Sequence, residues 1–162
     1  MTKKDIITNQ ISERLPYVET YLSGRKDVVF AYLFGSYVTG KVHPLSDVDI
    51  AVYLDSLVTV HSPTIPTSPR WGESERLLSL DISEKRLEIL GHLNEIFKTD
   101  EVDLVVLNTA PLTLKMKILL SRRVISDNQP FKRHIFESIT TRSYLDFSVL
   151  EMRLLERRFL YG

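Results

Sequence analysis

The chain has no cysteine among its 162 residues. That absence excludes a disulfide framework, a thiolate zinc centre and a thiol nucleophile, and it suits a reducing compartment. Net charge is equally absent: twenty-one basic and twenty-one acidic residues cancel. No global field therefore draws the chain to nucleic acid or to an anionic lipid surface. Long hydrophobic runs are missing too. "VVFAYLF" is far too short to span a bilayer, and "MTKKDIITNQ" carries two lysines with no apolar stretch behind them. The expected location is cytoplasmic, with no membrane contact. Hydrophobic residues make up 43% and charged residues 26%, ordinary for one globular domain able to bury its own core.

What is present reads as strands alternating with helices. Ile7, Ile11 and Leu15 recur at helical spacing, and Pro16 is expected to end or bend that helix. Val28 to Phe34 is a continuous β-branched and aromatic run, the pattern of a buried strand, which Gly35 stops. Residues 36–40 allow a short helical turn, and Asp47 to Leu54 form a second strand. Three prolines among serines and threonines make residues 56–72 a surface loop or lid. Asp81 and Glu84 resemble a capping box opening a helix whose buried stripe is Leu87, Leu90, Leu93 and Phe97. Residues 101–108 predict a third strand, residues 111–122 a helix entered through Pro111, and residues 131–160 a long or broken amphipathic helix. The pattern is a small α/β or α+β domain. It divides into a core at residues 1–110 and a C-terminal helical segment at residues 111–162 packed upon it, suited to binding a partner.

Chemistry concentrates in "GSYVTGKVHPLSDVDIAVYL", residues 35–54. In a strand, Asp47 and Asp49 point to one face, with Cα atoms roughly 6.5–7 Å apart. Two carboxylates held that way repel unless a cation lies between them, and hard cations such as Mg²⁺ take oxygen ligands while leaving positions open for phosphate. Asp103 is a third acid inside a run that otherwise reads as core, "EVDLVVLN". Three such acids are untenable in a dry core, but around two divalent ions they make a phosphoryl-transfer site. Gly35 lets backbone approach a ligand, and the Ser36 hydroxyl and nearby N–H groups suit phosphate oxygens. Lys41 is placed to reach a phosphate as a point charge or to stand as a solvated loop lysine. Ser46 either orients Asp47 or starts the strand. His43, His61, His92 and His134 lack metal-ligand spacing and read as structural or surface residues.

Gly35-Ser36, ten residues, then Asp47-x-Asp49 resembles the signature of the DNA polymerase β-type nucleotidyltransferases. Together with "TDEVDLVVLN" it is similar to the minimal members, the MNT proteins, over most of residues 28–107 and more loosely in "FKRHIFESITTRSYLDF". The resemblance implies that Asp47, Asp49 and Asp103 bind two Mg²⁺ ions, that Asp103 helps activate the attacking hydroxyl, and that Gly35 and Ser36 contact the triphosphate of ATP. Many MNT proteins are antitoxins of a HEPN-domain RNase toxin, and several transfer AMP to a toxin tyrosine. The implied function is thus a protein adenylyltransferase antitoxin with a HEPN partner. Its alternatives are an antitoxin that masks the toxin by binding alone and a nucleotidyltransferase acting on a small molecule. The stretch at residues 61–70 looks inserted relative to the family. Six basic against four acidic residues after Phe131 give no reason to expect nucleic-acid binding.

Overall fold

The computed structural model describes the backbone of residues 3–42, 46–55 and 73–160 and the side chains of residues 11–42, 46–55 and 80–158. The elements run α1 (Lys3–Gly24), β1 (Val28–Phe34), α2 (Ser36–Thr39), β2 (Val48–Leu54), α3 (Glu73–Phe97), β3 (Val102–Val106), α4 (Leu112–Leu120), β4 (Arg123–Asp127) and α5 (Pro130–Leu160). The four strands form one sheet in the order β3-β2-β1-β4. β1 pairs antiparallel with β2 and with β4, and β2 pairs parallel with β3.

β1 is buried along its whole length, as a strand without polar residues demands. Its neighbours alternate. Val48, Ile50, Val52 and Leu54 of β2, with Val102, Leu104 and Val106 of β3, face Leu15, Val18 and Leu22 of α1 and Ile89, Leu93 and Phe97 of α3. The opposite face carries Phe30, Tyr32, Phe34 and Ala51 against Ile118 and Leu119 of α4, with Phe136 of α5 packed on them. An irregularity between Val28 and Phe30 lets Val28 join the first layer while Val29 and Phe30 both join the second. Asp49 and Asp103, at the intervening positions of β2 and β3, therefore belong to the α4 and α5 face.

Several local expectations are corrected. Pro16 does not end α1, which continues to Gly24. A proline inside a helix costs roughly 3 kcal/mol, and burying Leu15, Val18 and Leu22 on one stripe, at about 1.5–3 kcal/mol each, outweighs it. Asp81 opens no helix: α3 begins at Glu73, and Asp81 instead accepts from Lys85 at 2.6 Å, one turn on. Leu87 is 66% exposed, and the buried stripe runs through Ile89, Leu93 and Phe97. Lys98, at φ 56°, then stops the helix. β2 begins at Val48, one residue later than expected, and α4 begins at Leu112 with Pro111 as its cap.

β4 was not expected. It fills a sheet edge with residues 123–127, between the helices expected at residues 111–122 and 131–160. The loop expected at residues 56–72 lies outside the described residues. Among the described residues, no helix is long and apolar enough to cross a membrane.

Candidate active site

β1 ends at Phe34, the register partner of Asp49, and the chain turns sharply at Gly35, with φ 74° and ψ −143°. That conformation is open to glycine and strained for other residues. The space demands glycine as well. A Cβ on Gly35 would collide with the Asp49 carboxylate, lying 2.9 Å from its Cγ and closer still to Oδ2. The single turn of α2 follows, closed when Thr39 donates to the Gly35 carbonyl from its backbone N–H at 3.1 Å and its hydroxyl at 3.0 Å. The left-handed Gly40 then releases the chain. The Ser36 N–H donates to the Asp49 carboxylate.

The sheet supplies the third acid. Asp49 and Asp103 are direct partners across the parallel β2–β3 pair, so their side chains emerge side by side on one face. The Val48 N–H bonds the Glu101 carbonyl at 3.0 Å and fixes the start of β2 against the start of β3. Asp47 stands just before β2 and is exposed, as is Asp103, while Asp49 is half-buried. Burial pushes the Asp49 carboxyl above its ordinary range, and the charges of Asp103 and Asp47 push it further. Lys117 of α4 and the Ser36 N–H draw it back only in part. The charges of Asp103 and Asp47 thus both bear on Asp49.

That donor set fits a hard divalent cation: carboxylate oxygens, mutual repulsion and solvent access. The ligands are not pre-gathered, since among the described residues no three His, Asp or Glu side chains surround one point. Asp47, Asp49 and Asp103 are the residues that would hold such an ion.

Of the other sequence candidates, Gly35 and Ser36 lie against the acids as described. Lys41 is exposed just beyond Gly40. Ser46 is partly buried, and its carbonyl accepts from the Tyr37 hydroxyl at 3.4 Å. His92 stacks on Tyr21 at 5.1 Å and His134 is exposed, both away from the acids; His43 and His61 lie outside the described residues.

Two further residues at the site carry no sequence motif. Tyr37 braces the segment that delivers Asp47, and burial followed by the charges of Glu101, Asp47 and Asp49 raises its phenol. Lys117 is the cation nearest in effect to Asp49, and only the fold brings it there. A cavity of about 310 Å³ beside Tyr53, Lys115 and Phe136 opens at the other end of β2 and takes no part in this cluster.

Solved structures share this architecture. None of the curated proteins compared with the chain matches it. Among solved structures, the chain is similar to a toxin–antitoxin complex with AMP-PNP, at 21% identity and a TM-score of 0.56, covering 94% of this chain and 98% of the other. It is also similar to the toxin–antitoxin MntA–HepT, at 18% identity and a TM-score of 0.51, covering 96% and 98%. A third is a Shewanella oneidensis complex of tri-AMPylated HEPN toxin with MNT antitoxin, at 18% identity and a TM-score of 0.50, again covering 96% and 98%. At such identities the likeness is one of fold. The polymerase beta nucleotidyltransferase family model matches residues 17–131, which takes in β1, the Gly35 turn and all three acids. The chain belongs to the polymerase beta nucleotidyltransferase family.

Proposed function

We propose that the chain is an antitoxin that works as a protein adenylyltransferase, moving AMP from ATP to a tyrosine hydroxyl of a HEPN-domain toxin. The observation that carries this reading is the coupling of Asp49 to Asp103 and Asp47 beside a Gly35–Ser36 turn that only glycine can make. The similarity in fold to toxin–antitoxin complexes, one with AMP-PNP and one with an AMPylated toxin, supports the choice of nucleotide and acceptor.

In this reading Asp47, Asp49 and Asp103 hold two Mg²⁺ ions, which supply charge neutralisation for the triphosphate and acidify the acceptor hydroxyl. Gly35 and Ser36 bind the triphosphate through backbone N–H groups and the Ser36 hydroxyl, and Lys41 and Ser46 border it. The acceptor tyrosine oxygen attacks the α-phosphorus in line. Its proton passes to the Asp103 carboxylate, the bond to the β-phosphate bridging oxygen breaks, and pyrophosphate leaves with that electron pair. The C-terminal segment provides the toxin contact. Leu145, Phe147, Val149, Leu150, Met152 and Leu154 of α5 are all exposed, and no described part of this chain covers them.

The same helix favours one other reading, an antitoxin that silences the toxin by docking through α5 alone. Asp47→Asn separates the two. In a chain that folds normally it abolishes AMP transfer and weakens neutralisation if the enzyme reading holds. Full neutralisation by Asp47→Asn supports masking, and undiminished transfer removes the metal assignment.

A further inference from the structure

Topology carries one residue to the acids that the motif does not contain. β3 runs away from Asp103, the chain turns at residues 107–111, and the nine residues of α4 return along the same face. At about 1.5 Å per residue the helix spans roughly 13 Å, close to the length of β3 itself. Its last turn therefore comes back over the strand ends where Asp49 and Asp103 emerge. Ile118 and Leu119 in that turn are buried in the cluster that holds Phe34, the register partner of Asp49, and Ala51, two residues beyond it. Lys117 directly precedes them and is exposed.

Among the described residues Lys117 makes no salt bridge. Its ammonium lies within electrostatic reach of the Asp49 carboxylate. Its cationic neighbours on and just after α4 are engaged elsewhere: Lys115 sits over the Phe136 ring at 6.0 Å, Arg122 bonds Glu137 at 3.0 Å, and Arg123 reaches Glu19 at 3.5 Å. A lysine in a last helical turn also offsets the helix dipole, a role met at many helix ends that needs no acid cluster. Here the same side chain stands at the rim of a site whose substrate carries several negative charges.

We propose that Lys117 is a nucleotide-binding residue whose ammonium pairs with the pyrophosphate portion of the bound triphosphate. The inference rests on the nucleotidyltransferase reading above. When nucleotide enters, the ammonium pairs with phosphate oxygens in place of the Asp49 carboxylate. A lysine suits this exchange because its compact charge swings on a flexible stem.

The test is nucleotide affinity, which needs no toxin and no turnover. Titration calorimetry with ATP and with AMP, each with Mg²⁺, is run on the wild type, Lys117→Ala and Lys117→Arg. A charge-assisted contact of ordinary strength corresponds to about ten- to a hundredfold in affinity. Lys117→Ala is expected to lose that factor for ATP and little for AMP, and Lys117→Arg to recover most of it. Thermal melting of the three proteins shows whether the fold is kept. Unchanged ATP affinity in a folded Lys117→Ala overturns the proposal, and an equal loss for ATP and AMP overturns the assignment to the pyrophosphate portion. A wild type that binds ATP but modifies no toxin contradicts the acceptor and leaves Lys117 judged by its own titration. A wild type that binds no ATP contradicts both.

Discussion

Gly35 and Asp49 are so close that one methyl group on the glycine would occupy the space of the carboxylate. The turn after β1 and the second acid of β2 are therefore a single unit, although thirteen residues separate them in the chain. Gly35→Ala meets two penalties, a backbone with positive φ and a collision with Asp49. We expect a loss of about 1–3 kcal/mol of stability, or roughly 2–12 °C in melting temperature, with AMP transfer falling more steeply than stability. Melting curves and transfer assays on the same preparation check both parts.

The repulsion focused on Asp49 gives a pH dependence of definite sign. Because the folded protein holds this carboxyl above its ordinary value of 3.8, the folded chain binds the proton more tightly than the unfolded chain. The associated stability is present below 3.8 and is lost as pH rises through the raised value. In chelator, Asp49→Asn is therefore expected to melt above the wild type at pH 7, with the advantage shrinking as pH approaches 3.8. A variant less stable than the wild type at pH 7 contradicts this account of the site.

Metal acts on the same repulsion from the other direction. Millimolar Mg²⁺ or Mn²⁺ should raise the melting temperature of the wild type, and EDTA should reverse the gain. Asp49→Asn and Asp103→Asn should show little of that response. An equal metal response in all three proteins places the cation elsewhere.

Away from the site, Glu137 of α5 gathers the Tyr32 hydroxyl at 2.8 Å, Arg122 Nε at 3.0 Å and Arg133 at 3.0 Å, fastening the helix to β1 and to the end of α4. Burial pushes the Glu137 carboxyl up, but the bonds from Tyr32, Arg133 and Arg122 outweigh it and hold it below its usual range. Its stabilisation is present above 4.5 and is lost as pH falls through the lowered value. Glu137→Ala leaves Arg133 and the buried Tyr32 hydroxyl without this acceptor. A loss on the order of 3 kcal/mol is expected, read from urea unfolding midpoints.

The strands that carry the site were legible because their sequence is nearly uniform in character. Val28 to Phe34 is apolar, β-branched and aromatic throughout apart from the Tyr32 hydroxyl, the pattern of a buried central strand. Asp49 and Asp103 stood out as charges inside such runs, and the register makes them direct partners on one face of the sheet. Other features depend on contacts between distant segments. β4 is a five-residue edge strand with two exposed positions, and its pairing with β1 outweighs a weak local pattern. Pro16 carries a strong local signal that tertiary burial overrides, and Leu87 shares helical spacing with the core while pointing away from it. Lys117 has no motif at all; the return of α4 over the acids is what gives it a role.

The most direct measurement is the intact mass of the cognate HEPN toxin after incubation with this chain, ATP and Mg²⁺. The account predicts addition of AMP to a toxin tyrosine with wild-type chain and none with Asp47→Asn. Toxin that keeps its mass while bound and silenced by the wild type would contradict it and would make the protein an antitoxin that acts by docking.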